Sequence, residues 1–205
     1  MMIVRDKFVR RSFFFNRDEA GVAAIEFAIM LPILLFLFIG MIELVTALSY
    51  DRRVSKTGSS IADLVARSDD VTGDMNDIET AIAHQMTPFE NSDVDVRLGM
   101  VLIHGGNPLV VWSWGNRTPV PWPQGSQPTG VSFSPSMLID GQYYLVSSTR
   151  LDYPFILGNV LSSFDTLITK DASKFTSISL SDSFVLQPRR VSCVEFQGNC
   201  ASYSP

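Results

Sequence analysis

Histidine and cysteine are scarce, with two of each in 205 residues. His84 and His104 sit in unrelated stretches. No His-Glu-x-x-His, Gly-x-Ser-x-Gly, phosphate-binding loop or dinucleotide fingerprint is present. Six residues separate Cys193 from Cys200, unlike the Cys-x-x-Cys spacing of zinc and redox sites. Asp69, Asp70, Asp74, Asp77 and Glu79 make an acidic run that misses the calcium-loop pattern and reads as a solvated helix start. The sequence therefore nominates no catalytic residue, no cofactor-binding residue and no metal ligand, and the expectation is a protein that is not an enzyme. Basic residues are also in deficit, leaving a net charge of −5. Nucleic acid wants clustered Lys and Arg, so it is not an expected partner. No repeat, heptad or long low-complexity tract organises the chain.

What the chain does have is one long apolar run, Gly21 to Tyr50. Its centre, Phe27 to Ile42, carries no charge, and Glu26 and Glu43 flank it. Crossing a bilayer takes roughly 20 mostly apolar residues in a helix, and Val22 to Ile42 meets that need. A buried core helix rarely runs so long without a charge. A cleavable signal peptide, cut near Ala47-Leu48-Ser49, has a shorter apolar region as a rule. A retained membrane anchor fits best. Arg5, Lys7, Arg10, Arg11 and Arg17 precede the run against Asp6, Asp18 and Glu19. That basic leader favours a cytoplasmic N-terminus, although Arg52, Arg53 and Lys56 close behind the run weaken the bias.

The junction is more specific than the hydrophobicity. Gly21, then Val22-Ala23-Ala24-Ile25, then Glu26-Phe27 stand where the basic leader meets the apolar run. This resembles the processing site of Flp-type prepilins, which a prepilin peptidase cuts after the glycine. The resemblance implies a leader at 1–21, a mature terminus at Val22, and a Glu26 carboxylate that pairs with the terminal amine of a neighbouring subunit during assembly. An ionisable group at the edge of an apolar span usually has a partner or a function, and the bland alternative is snorkelling to headgroups. Pro32 removes one helix hydrogen bond. With Ala24 to Ala28, Leu31-Pro32 and Gly40 to Glu43, the run is similar to the TadE/TadG-like family, small pilin-like membrane proteins of bacterial tight-adherence (Flp) pilus systems. Fainter similarity extends to Asp51 to Val54, Ile61 to Ala66, Tyr143 to Pro154, and Leu186 to Arg190 with Cys193.

The rest reads as one exported domain. The segmentation is leader 1–21, transmembrane helix 22–50, and a periplasmic α+β domain 51–205 with a proline-rich loop at 115–130. Losing residues 1–21 would remove five positive and three negative charges, taking the net from −5 to −7. Arg52 to Arg67 continues the helix, with Val54, Ile61, Leu64 and Val65 near one face and Gly58 as a soft point. Asp74 is placed to cap a second helix through Met75, Ile78, Ile82 and Met86. The period then changes to two at Val94, Val96, Leu98, Met100 and Leu102, as a half-buried strand requires. Gly105 to Pro108 is a turn and Leu109 to Trp114 a second strand. Trp122, in the proline-rich loop, is either a contact for a partner or an aromatic folded back on the sheet. Tyr143 to Leu151 is a third strand, Phe155 to Phe164 a short helical pattern, and Ile178 to Leu186 a last strand whose apolar parity Asp182 interrupts. Asn116-Arg117-Thr118 is a formal glycosylation sequon, without consequence in the bacterial host that the resemblance implies.

The fold class is thus α+β, pilin-like: a long N-terminal helix, transmembrane and extending outward, followed by an antiparallel-sheet domain. The leading functional expectation is a minor pilin-like (pseudopilin) component of a tight-adherence pilus assembly system. Its expected location is the inner membrane, in a single pass with the N-terminus cytoplasmic and the domain periplasmic. Its expected partners are membrane lipid, a prepilin peptidase, other pilins and pilus-assembly proteins. The competing expectation is a membrane-anchored periplasmic binding or enzymatic domain unrelated to pili. In an oxidising compartment Cys193 and Cys200 can bridge, against the alternative of two free thiols.

Overall fold

The structure, a computed structural model, describes residues 19–87, 94–155 and 177–205. Its elements are α1 (Glu19–Ala66), α2 (Met75–Met86), β1 (Val94–His104), β2 (Asn107–Gly115), a 3-10 turn at Pro135–Met137, β3 (Tyr143–Pro154), β4 (Ser177–Leu186) and α3 (Asn199–Ser202). This is the α+β order expected: a long apolar helix, then an antiparallel sheet. Most of the expected leader, and the helical pattern after Phe155, lie outside the described residues. The chain divides into two compact units, Met1–Leu44 and Val45–Pro205.

In the first unit, every residue from Gly21 to Ile39 is exposed. The seven consecutive apolar residues Ile33 to Ile39 alone turn through the whole helix circumference. A helix apolar on all sides needs cover on all sides, which water does not give. Its most apolar window has a mean hydropathy of 2.7 and is wholly unburied, so α1 is long and apolar enough to cross a membrane. The helix carries Pro32 in its interior without ending there. The lost N–H leaves the Ala28 carbonyl without its helical donor, which a local adjustment of the neighbouring turns can re-satisfy.

The second unit packs the remainder of α1 on a sheet ordered β2-β1-β3-β4, every pairing antiparallel. Val54, Ile61, Ala62, Val65 and Ala66 are buried, and α2 adds Ile78, Ile82 and Met86. Leu64 differs from expectation, at 51% exposed. It lies about 100° around the helix from Val65, outside a face centred on Val54, Ile61 and Val65. Asp74 occupies the cap position of α2, but its side chain makes no capping hydrogen bond. Val94, Val96, Leu98, Met100 and Leu102 of β1 all enter this core, as a period of two demands.

The turn between β1 and β2 is only Gly105-Gly106, with φ of 58° and 75°. Both central residues of a type I′ turn need positive φ, which glycine supplies without strain. Consequently β2 begins at Asn107, and Pro108 sits inside it on an outer strand, where a missing N–H is tolerated. A bulge follows: Met100 pairs with Trp112 and Val101 with Val110, leaving Val111 extra. The bulge resets parity, so Val111 and Trp112 join the helix-side core while Val110 goes to the opposite face.

That opposite face has its own small core of Val101, Ile103, Val110, Trp122, Tyr144 and Val146. Trp122 is fully buried, so the aromatic folded back on the sheet is the observed arrangement and the partner contact is not. Its backbone N–H donates to Ser113 Oγ at 3.1 Å, its carbonyl accepts from the same hydroxyl at 2.6 Å, and its indole N–H donates to Thr129 O at 3.2 Å. Val110 and the loop exchange two backbone hydrogen bonds, with Ser126 and Gly125. The proline-rich loop thereby covers part of the outer edge of β2. Asp182, which breaks the apolar parity of β4, accepts from Ser55 Oγ of α1 at 2.7 Å. Asn116, in the formal sequon, instead brackets the start of β1, accepting from Val96 N and donating to Val94 O.

Gly58 marks a close approach of α1 to the sheet. A Cβ there would lie 2.9 Å from Thr149 Cγ2 and 3.3 Å from Phe184 Cε2. Thr149 is completely buried and β-branched, so it has little room to yield. Gly58→Ala gains up to about 1 kcal/mol of helix propensity but overpacks this contact at about 1–3 kcal/mol. We expect a net loss of stability in thermal unfolding of the detergent-solubilised protein. Combining it with Thr149→Ser should recover part of that loss. A Gly58→Ala protein more stable than the original would show that the contact is not tight.

Candidate functional site

The sequence places the candidate site at the start of α1, where the helix is already formed by Glu19. Gly21 and Val22 are both helical, within the first turn of α1 that the structure describes. Both are exposed, as are Glu26 and Phe27. Glu26 stands four residues after Val22, one helical turn along and on the same face. Helical side chains lean toward the N-terminus, which directs the carboxylate back toward the Val22 nitrogen. No hydrogen bond or ion pair reaches Glu26 from the described residues. Glu43, at the other end of the apolar run, behaves differently. It is 5% exposed, the one charged side chain buried among the described residues.

Residues 21–59 match the family model described as TadE-like protein. This is the family that the Gly21-to-Glu43 pattern resembles. The TadE-like stretch runs from the candidate cut, through the whole apolar span, to the helix turn carrying Gly58. Similarities at 61–66, 143–154 and 186–193 fall beyond it. No curated protein and no solved structure matches the chain.

Elsewhere, two clefts among the described residues gather polar and charged side chains. One, of about 370 Å³, lies on the sheet and is lined by Arg97, Thr129, Gly130, Ser148, Arg150, Ser181, Asp182 and Ser183. Its two guanidiniums are engaged with Asp95 at 2.6 Å and Asp152 at 3.3 Å. The other, of about 350 Å³, follows the apolar run on α1 and is lined by Ser49, Arg52, Arg53, Lys56, Thr57 and Gln85. Sequence reasoning read those cations only as weakening an orientation bias. Their i, i+3, i+4, i+7 spacing from Ser49 was the available signal that they share a helix face. His84 and His104 are both exposed and belong to α2 and β1. No group of three or more metal-ligating side chains occurs among the described residues.

The acidic run does structural duty. Asp70 Oδ1 accepts from the Thr72 hydroxyl at 2.6 Å and the Thr72 N–H at 2.8 Å, and these bonds hold its carboxyl below the ordinary value. Thr72 Oγ1 in turn accepts from Gln197 N–H. Val71 donates to Glu195 O, Glu195 donates to Asp69 O, and the Trp112 indole donates to Val194 O. Arg189 pairs with Asp63, and Arg190 with Asp69. A C-terminal tail is thus tied to the end of α1 and to β2. A disulfide joins Cys193 and Cys200 within it, with Cα atoms 6.1 Å apart.

In the chain-entropy account, closing so short a loop stabilises by about 2–3 kcal/mol. We expect Cys193→Ser/Cys200→Ser to lower stability by about that amount and to open the tail to protease before the sheet. Unreduced protein should yield no alkylatable thiol by mass spectrometry. Two free thiols in protein from the oxidising compartment would remove the bridge.

Proposed function

We propose that this protein is a minor pilin-like component of a bacterial tight-adherence pilus system, held in the inner membrane by α1. The observation that carries this reading is the TadE-like match over residues 21–59, which coincides with an all-round apolar helix. In this reading the N-terminus is cytoplasmic and the domain periplasmic. A prepilin peptidase cuts after Gly21, which leaves a positive amine at Val22 inside the edge of the apolar zone. Such a charge is costly there unless it is paired. Glu26, exposed and one turn away, supplies the counter-charge, within one helix or between neighbouring helices. The protein works by helix-mediated assembly with other pilus subunits, not by catalysis.

N-terminal sequencing of membrane-extracted protein should begin at Val22. A terminus at Met1 or near Tyr50 would contradict the prepilin reading. Glu26→Ala should insert and be processed normally, because removing a charge from the apolar zone eases insertion. Assembly should fail. Stranding one partner of a buried pair costs about 3–5 kcal/mol, which is more than a hundredfold in an association equilibrium. The measurement is pilus number in a strain lacking the protein and complemented with the variant, at matched membrane abundance. Normal piliation would leave α1 as an anchor only.

A further inference from the structure

We infer that the cleft on α1 directly after the apolar run is a binding site for a phosphate-bearing lipid headgroup of the leaflet into which the helix emerges. The inference rests on the membrane-anchored reading above. Arg52 and Lys56 lie one turn apart on one face of α1, and both are exposed. Neither makes an ion pair among the described residues. Arg53 also lines the cleft, donating to Gln85 O at 3.3 Å and to Thr87 O at 2.6 Å. It thus satisfies the last carbonyls of α2 and fixes that wall of the cleft. Asp51 is the adjacent carboxylate in sequence and does not line it.

Depth supports the assignment. Leu48 is the last large apolar residue exposed before this turn. Arg52 follows it by about 6 Å along the helix axis and Lys56 by about 12 Å. The headgroup layer on each side of the hydrocarbon is about 5–7 Å thick, and long basic side chains reach back toward it. Both cations can therefore meet phosphates from the same helix face. Gln85 Oε1 is buried at this cleft without a hydrogen-bond partner among the described residues. That atom is closed to solvent, so a headgroup meets the cleft through the exposed Arg52 and Lys56 cations, and phosphatidylglycerol, which carries a net negative charge where phosphatidylcholine carries none, is the lipid they favour.

The test uses full-length protein in neutral detergent, with native mass spectrometry to follow added phosphatidylglycerol, phosphatidylcholine or inorganic phosphate. Phosphatidylglycerol should bind in preference to phosphatidylcholine. Arg52→Ala/Lys56→Ala should weaken it on the order of 30-fold, from the usual contribution of each cation to anionic-lipid attraction. Arg150→Ala, on the sheet, should leave binding unchanged. Both altered cleft residues are exposed and make no ion pair among the described residues, so circular dichroism and thermal midpoint should match the original. Equal binding of the two lipids, or undiminished binding by the double variant, overturns the site. Displacement of the lipid by inorganic phosphate at equal concentration overturns the lipid assignment. Recovery of the protein in the soluble fraction after a carbonate wash would instead strike the membrane reading, independently of the lipid titration.

Discussion

The way α1 is buried changes along its length, and the other elements answer to that change. Through Ile39 no face of the helix is covered, and the side chains are apolar throughout apart from Glu26. From Val54 onward a single face is covered, and the opposite side carries ordinary polar residues. The hydrophobic effect treats the two regimes differently. In the first, all the apolar area remains to be removed from water by something other than the described chain. In the second, the sheet removes it, and Gly58 sets how near the helix comes.

The sheet then has to solve a problem that follows from carrying a helix on only one side. Its second face would leave Val101, Ile103, Val110 and Val146 in water. The bulge at Val111 directs Val110 to that face, and the proline-rich loop brings Trp122 onto it. Proline serves here because the loop must lie flat against strands without competing for their ladder hydrogen bonds. The C-terminal tail closes the other side at the end of α1 by hydrogen bonds and two arginine–aspartate pairs, and a disulfide closes a loop within the tail itself. The exposed ion pairs contribute little alone. The backbone bonds and the buried Trp112–Val194 hydrogen bond are the stronger part of that closure.

Most of this architecture was legible because it is written in local periodicity. The alternation from Val94 to Leu102 and the spacing Ile78, Ile82, Met86 each report burial on a repeat the backbone imposes. Leu64 misled because neighbouring apolar positions need not share a face 100° apart. The role of Trp122 was open because sequence reports an aromatic and not where its loop returns. Asp182 was unintelligible for the same reason: its partner, Ser55, lies in the first helix. At the candidate site, the Gly21-to-Glu26 pattern was legible as a motif. The cleft around Arg52 and Lys56 was not, since one of its walls, Gln85, belongs to another helix.

Three carboxylates stand in apolar settings, and their differences carry the functional argument. Asp182 interrupts the apolar face of β4 and is answered by a hydroxyl from α1, so its cost is met inside the fold. Glu43 is withdrawn from solvent at the end of the apolar run, which burial makes tolerable only in company. Glu26 differs from both. It is exposed on a helix face where every neighbour is apolar, and the described residues offer it nothing. In the proposed reading the counter-charge is created by the cut itself: the same step that frees Val22 from the leader generates the amine that Glu26 is placed to receive.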